Sequence, residues 1–196
     1  MSDAAGVAAA SEVRTVAVIG AGVAGRGFAL ACAAAGFEVV LEDVMPANLR
    51  KAEADYADLT SRGSAGSLSL ALTVEDAVRE ADLAVDFVPD ELESKLEIFS
   101  MIDRMAPPKT ILCTPSEALS ITDLASCVYR PERCFAVRGE LVRTSSNPSP
   151  AVRLLYPAAA SEPALAGVEK FFRVLGIEVR QEPDPDVPAL MKNVPA

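Results

Sequence analysis

Apolar and polar positions along the chain follow two alternating periods. Short runs rich in Val, Ile and Leu predict strands, and longer stretches with helical spacing predict helices. The strands are predicted at 15–19, 38–44, 68–72, 83–88, 110–113, 134–137, 152–156 and 177–180. The helices are predicted at 24–35, 46–62, 91–105, 120–126 and 163–175, with one more that begins after Thr73. This alternation predicts an α/β fold with a doubly wound, mostly parallel sheet and helices on both faces.

The two ends of the chain and one internal stretch fall outside this pattern. Residues 13–181 are predicted to form one Rossmann-type domain, and residues 1–12 a flexible N-terminal tail. Residues 182–196 carry four prolines and no apolar periodicity, which predicts an extended or disordered tail. The stretch 138–151 is rich in Ser, Asn and Pro and is predicted to be a polar loop.

The charge balance limits the partners that the chain can bind. Its net charge is −10, from 18 basic and 28 acidic side chains. This balance repels phosphate backbones and anionic lipid, so neither nucleic acid nor a membrane is predicted as a partner. No apolar run reaches the roughly 18 residues that a membrane span needs.

Cysteine and histidine usage narrows the chemistry further. The four cysteines are Cys32, Cys113, Cys127 and Cys134, and no two of them form a C-x-x-C pair, so neither a metal site nor a redox motif is predicted. Buried free thiols in a reduced cytoplasm are the simpler interpretation. The chain contains no histidine, which excludes an imidazole base or metal ligand within this polypeptide.

A glycine-rich turn follows the first predicted strand, as Gly20-Ala21-Gly22-Val23-Ala24-Gly25. In a G-x-G-x-x-G turn between a strand and a helix, the first glycine permits the tight turn and the second leaves space for a pyrophosphate. The third lets the helix pack close to the sheet. The helix that follows directs its N-terminal amides and dipole toward the phosphates. The alternative is a plain turn with no ligand.

An acidic residue stands where the second predicted strand ends. Asp43 lies 23 positions after Gly20, where a carboxylate accepts hydrogen bonds from the adenosine ribose and repels a 2′-phosphate. Glu42 adjoins it, and no arginine follows until Arg50. NAD is therefore predicted as the cofactor in preference to NADP. The alternative is that Asp43 is only a surface acid.

Several stretches of the chain resemble the NAD-binding domain of 3-hydroxyacyl-CoA dehydrogenases. They comprise residues 16–44, 81–125, 130–137 and 176–194. In this resemblance Val88-Pro89-Asp90-Glu91 matches a family motif whose glutamate lies near the nicotinamide ribose. It implies that Asp90 and, one helical turn on, Lys95 contact the cofactor. The alternative is that both residues only decorate an exposed helix start.

The catalytic positions implied by the same resemblance have changed. The family uses a histidine base paired with a glutamate, together with a serine and asparagines. Here Glu117 stands in place of the serine, Arg138 in place of the histidine, and the glutamate partner falls at about Leu154. Asn193 alone still matches a site asparagine. The family's helical second domain has no counterpart, so a homo-oligomer or a partner subunit is expected to replace it.

These changes alter what the site can do. A guanidinium stays protonated, so Arg138 cannot act as the base, but it can bind an acyl carboxylate or polarise a carbonyl, which favours reduction. Glu117 can serve as a base if it is buried. An ion pair of Arg138 with Glu117 or Glu140, without a catalytic task, is equally compatible with the sequence.

Three hypotheses for the function follow. The first is an NAD(H)-dependent oxidoreductase that transfers a hydride at a 3-hydroxy or 3-oxo acyl carbon. Its substrate is an acyl thioester or a related small molecule, and Glu117, Arg138, Glu140 and Asn193 are its candidate catalytic residues. The second is a redox-silent NAD-binding relative that acts as a scaffold, a sensor or a non-redox dehydratase or cyclase. The third is one half of a split dehydrogenase.

Overall fold

The computed structural model describes residues 12–63 and 65–185. The strands are β1 (Thr15–Ile19), β2 (Glu38–Glu42), β3 (Ser67–Ala71), β4 (Leu83–Asp86), β5 (Ile111–Pro115), β6 (Cys134–Gly139), β7 (Ala151–Tyr156) and β8 (Glu178–Pro183). The α-helices are α1 (Val23–Ala34), α2 (Pro46–Ser61), α3 (Val74–Val78), α4 (Leu92–Met105), α5 (Ile121–Ala125) and α6 (Glu162–Val174). A short 3-10 helix, Pro131–Arg133, precedes β6 and was not predicted.

All eight strands form one sheet in the order β3-β2-β1-β4-β5-β6-β7-β8. Every neighbouring pair is parallel except β6 and β7, which are antiparallel. The predicted Rossmann-type fold is therefore confirmed. The strand order reverses direction between β1 and β4, and in open α/β sheets this reversal leaves a crevice at the carboxyl ends of the strands.

The core lies in two layers, one on each face of the sheet. Alternate residues of β1 divide between them: Val16 and Val18 pack on one side, and Ala17 and Ile19 on the other. The first layer contains Phe28 of α1 in ring contact with Phe171 of α6, and the second contains residues from α3, α4 and α5. Three of the cysteines are buried and free in these layers, and Cys127 is exposed and free.

The final strand is longer than the sequence suggested. Prolines after residue 181 predicted an extended or disordered tail, whereas β8 continues to Pro183. The amide of Asp184 donates to the carbonyl of Tyr156 at 2.9 Å. The nitrogen of Pro183, one residue earlier, therefore points away from β7, where no amide hydrogen is needed. An edge strand tolerates proline there. The rest of the predicted C-terminal tail, and the N-terminal tail up to residue 11, lie outside the described residues.

The reversal at β7 determines where the polar segment lies. Gly139 pairs with Val152, so residues 140–150 leave and rejoin the sheet at the edge where the parallel strands end.

In the described ranges, no helix is both long enough and apolar enough to cross a bilayer.

Candidate functional site

The three glycines of the first turn differ in what surrounds them. Gly20 has a φ of +98°, a backbone conformation that side chains rarely adopt. A Cβ on Gly25 would lie 1.9 Å from the carbonyl oxygen of Gly20, so only glycine fits there. A Cβ on Gly22 would meet nothing within 4 Å. Only the middle glycine therefore faces open space.

The start of α1 carries no side chain that competes for its amides. Gly22 is the N-cap residue, it provides no side-chain cap, and the first turn, which begins Val23-Ala24, contains no acidic residue. The first amides of a helix have no partner within the helix and carry its positive partial charge. This arrangement suits an anionic group seated above Gly22.

Asp43 holds the glycine turn in place. Its Oδ2 accepts hydrogen bonds from the Ala21 amide at 2.8 Å and from Asn48 Nδ2 at 3.1 Å. Its Oδ1 accepts from the Met45 amide at 2.7 Å. The carboxylate is buried and joins the end of β2 to the turn after β1. It therefore preorganises the turn and is more than a surface acid.

A cleft of about 600 Å³ opens beside the glycine turn. Its floor includes Gly20, Gly22 and Asp43, and one wall includes Phe87, Val88 and Pro89, which follow β4. Apolar side chains from the residue after β3 and from α3 and α4 line the other wall: Leu72, Val74, Ile98 and Met101. The cleft lies at the strand-order reversal between β1 and β4, and its volume suits a nucleotide.

Beneath this cleft lies a buried ion pair. Lys95 Nζ donates to Asp86 Oδ1 at 2.7 Å, and the two side chains are 1% and 0% exposed. Burial raises the pKa of Asp86, while Lys95 acts in the opposite direction. Lys95 was expected at the cofactor, but the structure directs its ammonium into the interior because Asp86 is buried at the end of β4.

Glu117, in the segment after β5, is hydrogen-bonded to Asp90 and to the end of β6. The amide of Glu117 donates to Asp90 Oδ2 at 3.1 Å, and Glu117 Oε1 accepts from the amide of Gly139 at 3.1 Å. Glu117 is exposed, so the burial that a role as base requires is absent.

Arg138 and Glu140 do not pair with each other or with Glu117. Arg138 donates to two backbone carbonyls, those of Ser116 at 3.3 Å and Leu119 at 3.2 Å. Glu140 Oε2 accepts from Asn147 Nδ2 at 2.6 Å. The alternative of an ion pair between Arg138 and either glutamate is therefore wrong, because the guanidinium is hydrogen-bonded to backbone carbonyls instead. Asn193 lies outside the described residues.

Comparison with known proteins decides the family. Residues 15–138 match the model of the 3-hydroxyacyl-CoA dehydrogenase NAD-binding domain. The chain belongs to this family. The predicted family and NAD as its cofactor are confirmed. The rebuilt catalytic site stays a prediction.

Relatives of this dehydrogenase-family chain come from several bacteria and an archaeon. A probable 3-hydroxybutyryl-CoA dehydrogenase of Bacillus subtilis is 30% identical over 74% of this chain and 52% of that protein. A 3-hydroxyadipyl-CoA dehydrogenase of Escherichia coli is 31% identical over 81% of this chain and 35% of that protein. A solved 3-hydroxyacyl-CoA dehydrogenase from Archaeoglobus fulgidus is 29% identical, with a TM-score of 0.72, over 89% of this chain and 58% of that one. The chain thus spans about a third to three fifths of these relatives.

The residues of this family member fit the NAD that its family binds. The pyrophosphate fits the open space at Gly22 and the uncapped start of α1. No lysine or arginine is among the described residues that line the cleft, which provides no partner for a 2′-phosphate.

Three features of the site were not predicted. Glu42 is buried in the cleft, Asp86 is buried under it, and Ser120 Oγ donates to Asp184 Oδ2 at 2.8 Å. An acid at the end of an apolar strand was the available signal for Glu42 and Asp86. No local signal joins Ser120 to Asp184, which is 64 residues away.

Proposed function

We propose that this chain binds NAD or NADH in the cleft, and that the protein transfers a hydride at the 3-hydroxy or 3-oxo carbon of an acyl thioester. The observation that carries the proposal is the difference between Gly22, which faces open space, and Gly25, where a Cβ overlaps backbone. A turn without a ligand has no need to keep its middle position clear. The relatives named as hydroxyacyl-CoA dehydrogenases support the substrate class.

In this proposal, residues at one end of the site bind the cofactor, and Arg138 at the other end contacts the acyl group. The bound nicotinamide supplies the hydride chemistry. The amides at the start of α1 bind the phosphates, and Asp43 keeps the turn in its shape. Asp90, which accepts a hydrogen bond from the Glu117 amide, is assigned to the nicotinamide ribose by its match to the family motif. Arg138 lies half-buried at the end of β6, where a guanidinium can polarise an acyl carbonyl.

A specific observation favours a second candidate, the redox-silent NAD-binding relative. Arg138 is bonded to two carbonyls, Glu117 is exposed, and the chain has no histidine to act as base. A positioned acid or base contributes about 10²–10⁴-fold in rate, so a chain without one turns over slowly on its own. As part of the first proposal, a second copy of the chain or a separate subunit completes the site. The proposal also places the protein in the cytoplasm, which the four free thiols support.

The test of the cofactor proposal is NADH fluorescence titration of the wild-type chain and of Gly22→Val. The valine side chain enters the space assigned to the pyrophosphate, so NADH affinity should fall by tenfold or more, about 1.4 kcal/mol. Gly63→Val is the matched control because a Cβ there also meets nothing within 4 Å. Unchanged affinity in Gly22→Val contradicts the proposed pyrophosphate position.

The second test separates the two functions. NADH absorbance is followed with a short panel of 3-oxoacyl thioesters, after NADH binding has been established by fluorescence. Oxidation of NADH supports the dehydrogenase, whereas binding without turnover across the panel supports the redox-silent relative.

A further inference from the structure

Glu42 is an acid in an apolar position. It is the last residue of β2, and only 4% of it is exposed. Strands buried on both faces of a parallel sheet are normally apolar throughout, as Val39 and Leu41 are in this one. Glu42 lines the cleft, so its carboxyl group borders the space where the dinucleotide is proposed to bind.

Within the described ranges, no residue forms a hydrogen bond or an ion pair with the Glu42 side chain. Two donors that also line the cleft are committed elsewhere. The Asn48 amide donates to Asp43, and the Thr73 hydroxyl donates to Asp76. A carboxylate that borders the cleft without a protein partner has free lone pairs for a donor on a bound molecule.

Asp43 has less capacity to bind a ligand than its neighbour. Three protein donors already occupy its two carboxylate oxygens. A carboxylate offers about four lone-pair sites in all. Glu42, directly before it, keeps all of its sites. The two adjacent acids therefore have different tasks, one in shaping the turn and one in contacting what binds.

The walls around Glu42 indicate which part of a dinucleotide lies there. Leu72, Val74, Ile98 and Met101 offer apolar surface, which suits a flat base. Asp43 and Glu97 are the other acids on the lining, and they disfavour a phosphate. A neutral ring that carries an N–H donor fits both conditions, and in adenosine that donor is the 6-amino group.

We propose that Glu42 accepts a hydrogen bond from the adenine 6-amino group of the dinucleotide and so selects adenine over a 6-oxopurine. This inference rests on the proposed binding of NAD(H) in the cleft. In a 6-oxopurine the donor at the 6-position becomes a carbonyl oxygen, so two acceptors face each other there, and the ring's N1–H points in a different direction from the lost amino group. Glu42 is thus a specificity residue for the base, separate from the glycine turn that binds the pyrophosphate.

The experiment compares NADH with its hypoxanthine analogue, in which a carbonyl replaces the 6-amino group. Both are titrated by fluorescence into the wild-type chain, Glu42→Leu and Glu42→Gln. The wild type should prefer NADH by about tenfold, because hydrogen bonds to charged groups are the stronger ones. Glu42→Leu should lose the preference, and Glu42→Gln should retain part of it because its amide oxygen still accepts. Glu38→Gln, at the other end of β2, is the matched control.

Each outcome has a distinct meaning. Absence of NADH binding by the wild type contradicts the proposed function itself. If NADH binds but Glu42→Leu keeps the full preference for adenine, the role of Glu42 is overturned and the cofactor proposal stands. An equal loss of affinity for both dinucleotides in Glu42→Leu also overturns it, since a purely structural role predicts that result.

Discussion

The glycine turn after β1 and the segment around Arg138 at the end of β6 lie at the same edge of the sheet, but they commit their polar groups differently. In the glycine turn, Asp43 holds the backbone in shape, and no side chain caps the start of α1 beside the cleft. Around Arg138, polar side chains are bonded to nearby backbone or to each other. The nucleotide site is therefore preorganised in this chain, and the proposed acyl site around Arg138 is not.

The largest expected effect is a loss of stability when the buried ion pair beneath the nucleotide cleft is broken. Lys95→Met removes the partner of buried Asp86 and leaves a carboxylate without its counter-charge. The free energy of unfolding should fall by about 3–5 kcal/mol, as for other broken buried pairs. Urea denaturation at neutral pH measures this.

The control for that variant replaces both partners. Asp86→Val combined with Lys95→Met should recover most of the lost stability, because no charge remains buried. A double variant as unstable as the single one contradicts the ion-pair explanation.

A smaller effect on stability is expected on the acyl side. Arg138→Ala removes two long hydrogen bonds to carbonyls and should lower the free energy of unfolding by about 1 kcal/mol. NADH affinity should not change, whereas turnover of a 3-oxoacyl thioester should fall about 100-fold. The same denaturation, fluorescence and absorbance assays apply. Unchanged turnover would remove Arg138 from the mechanism, and a stability loss equal to that of Lys95→Met would contradict the contrast between the two regions.

The smallest effect concerns the pH dependence of stability. Burial, with a lesser contribution from Asp43, raises the pKa of Glu42. A raised pKa means that the folded chain binds this proton more tightly than the unfolded chain, so the wild type loses stability as pH rises through the shifted value. Glu42→Gln lacks this loss, and its melting temperature should exceed that of the wild type by roughly 2 °C at pH 7.5 but not at pH 4. A constant difference across the range would exclude titration of Glu42 as the cause.

Local signals in the sequence were sufficient for the sheet and for the glycine turn. Strand periodicity, the helix start after Thr73 and the spacing of Gly20, Gly22 and Gly25 each depend on residues close together in the chain. The Thr73 hydroxyl indeed accepts from the Asp76 amide. These features were predictable because the physics that produces them is local.

Contacts between distant segments were not predictable in the same way. The direction of the Lys95 side chain depends on Asp86, which had no recognised role until the sheet placed it at the end of a buried strand. The guanidinium of Arg138 had several carboxylates nearby in the sequence, and only the folded backbone placed the Ser116 and Leu119 carbonyls within its reach. Such choices depend on tertiary geometry.

The antiparallel step from β6 to β7 has a further consequence. Residues 140–150 are anchored on both sides by paired strands, and their internal bonds, such as that of Asn147 to Glu140, stay within the segment. Leu141 is buried in the core and Val142 packs against it, so only the more exposed stretch after them should tolerate changes in length and composition without disturbing the register of the sheet. Insertions at that point should therefore leave the dinucleotide cleft intact, because no residue of 140–150 lines it.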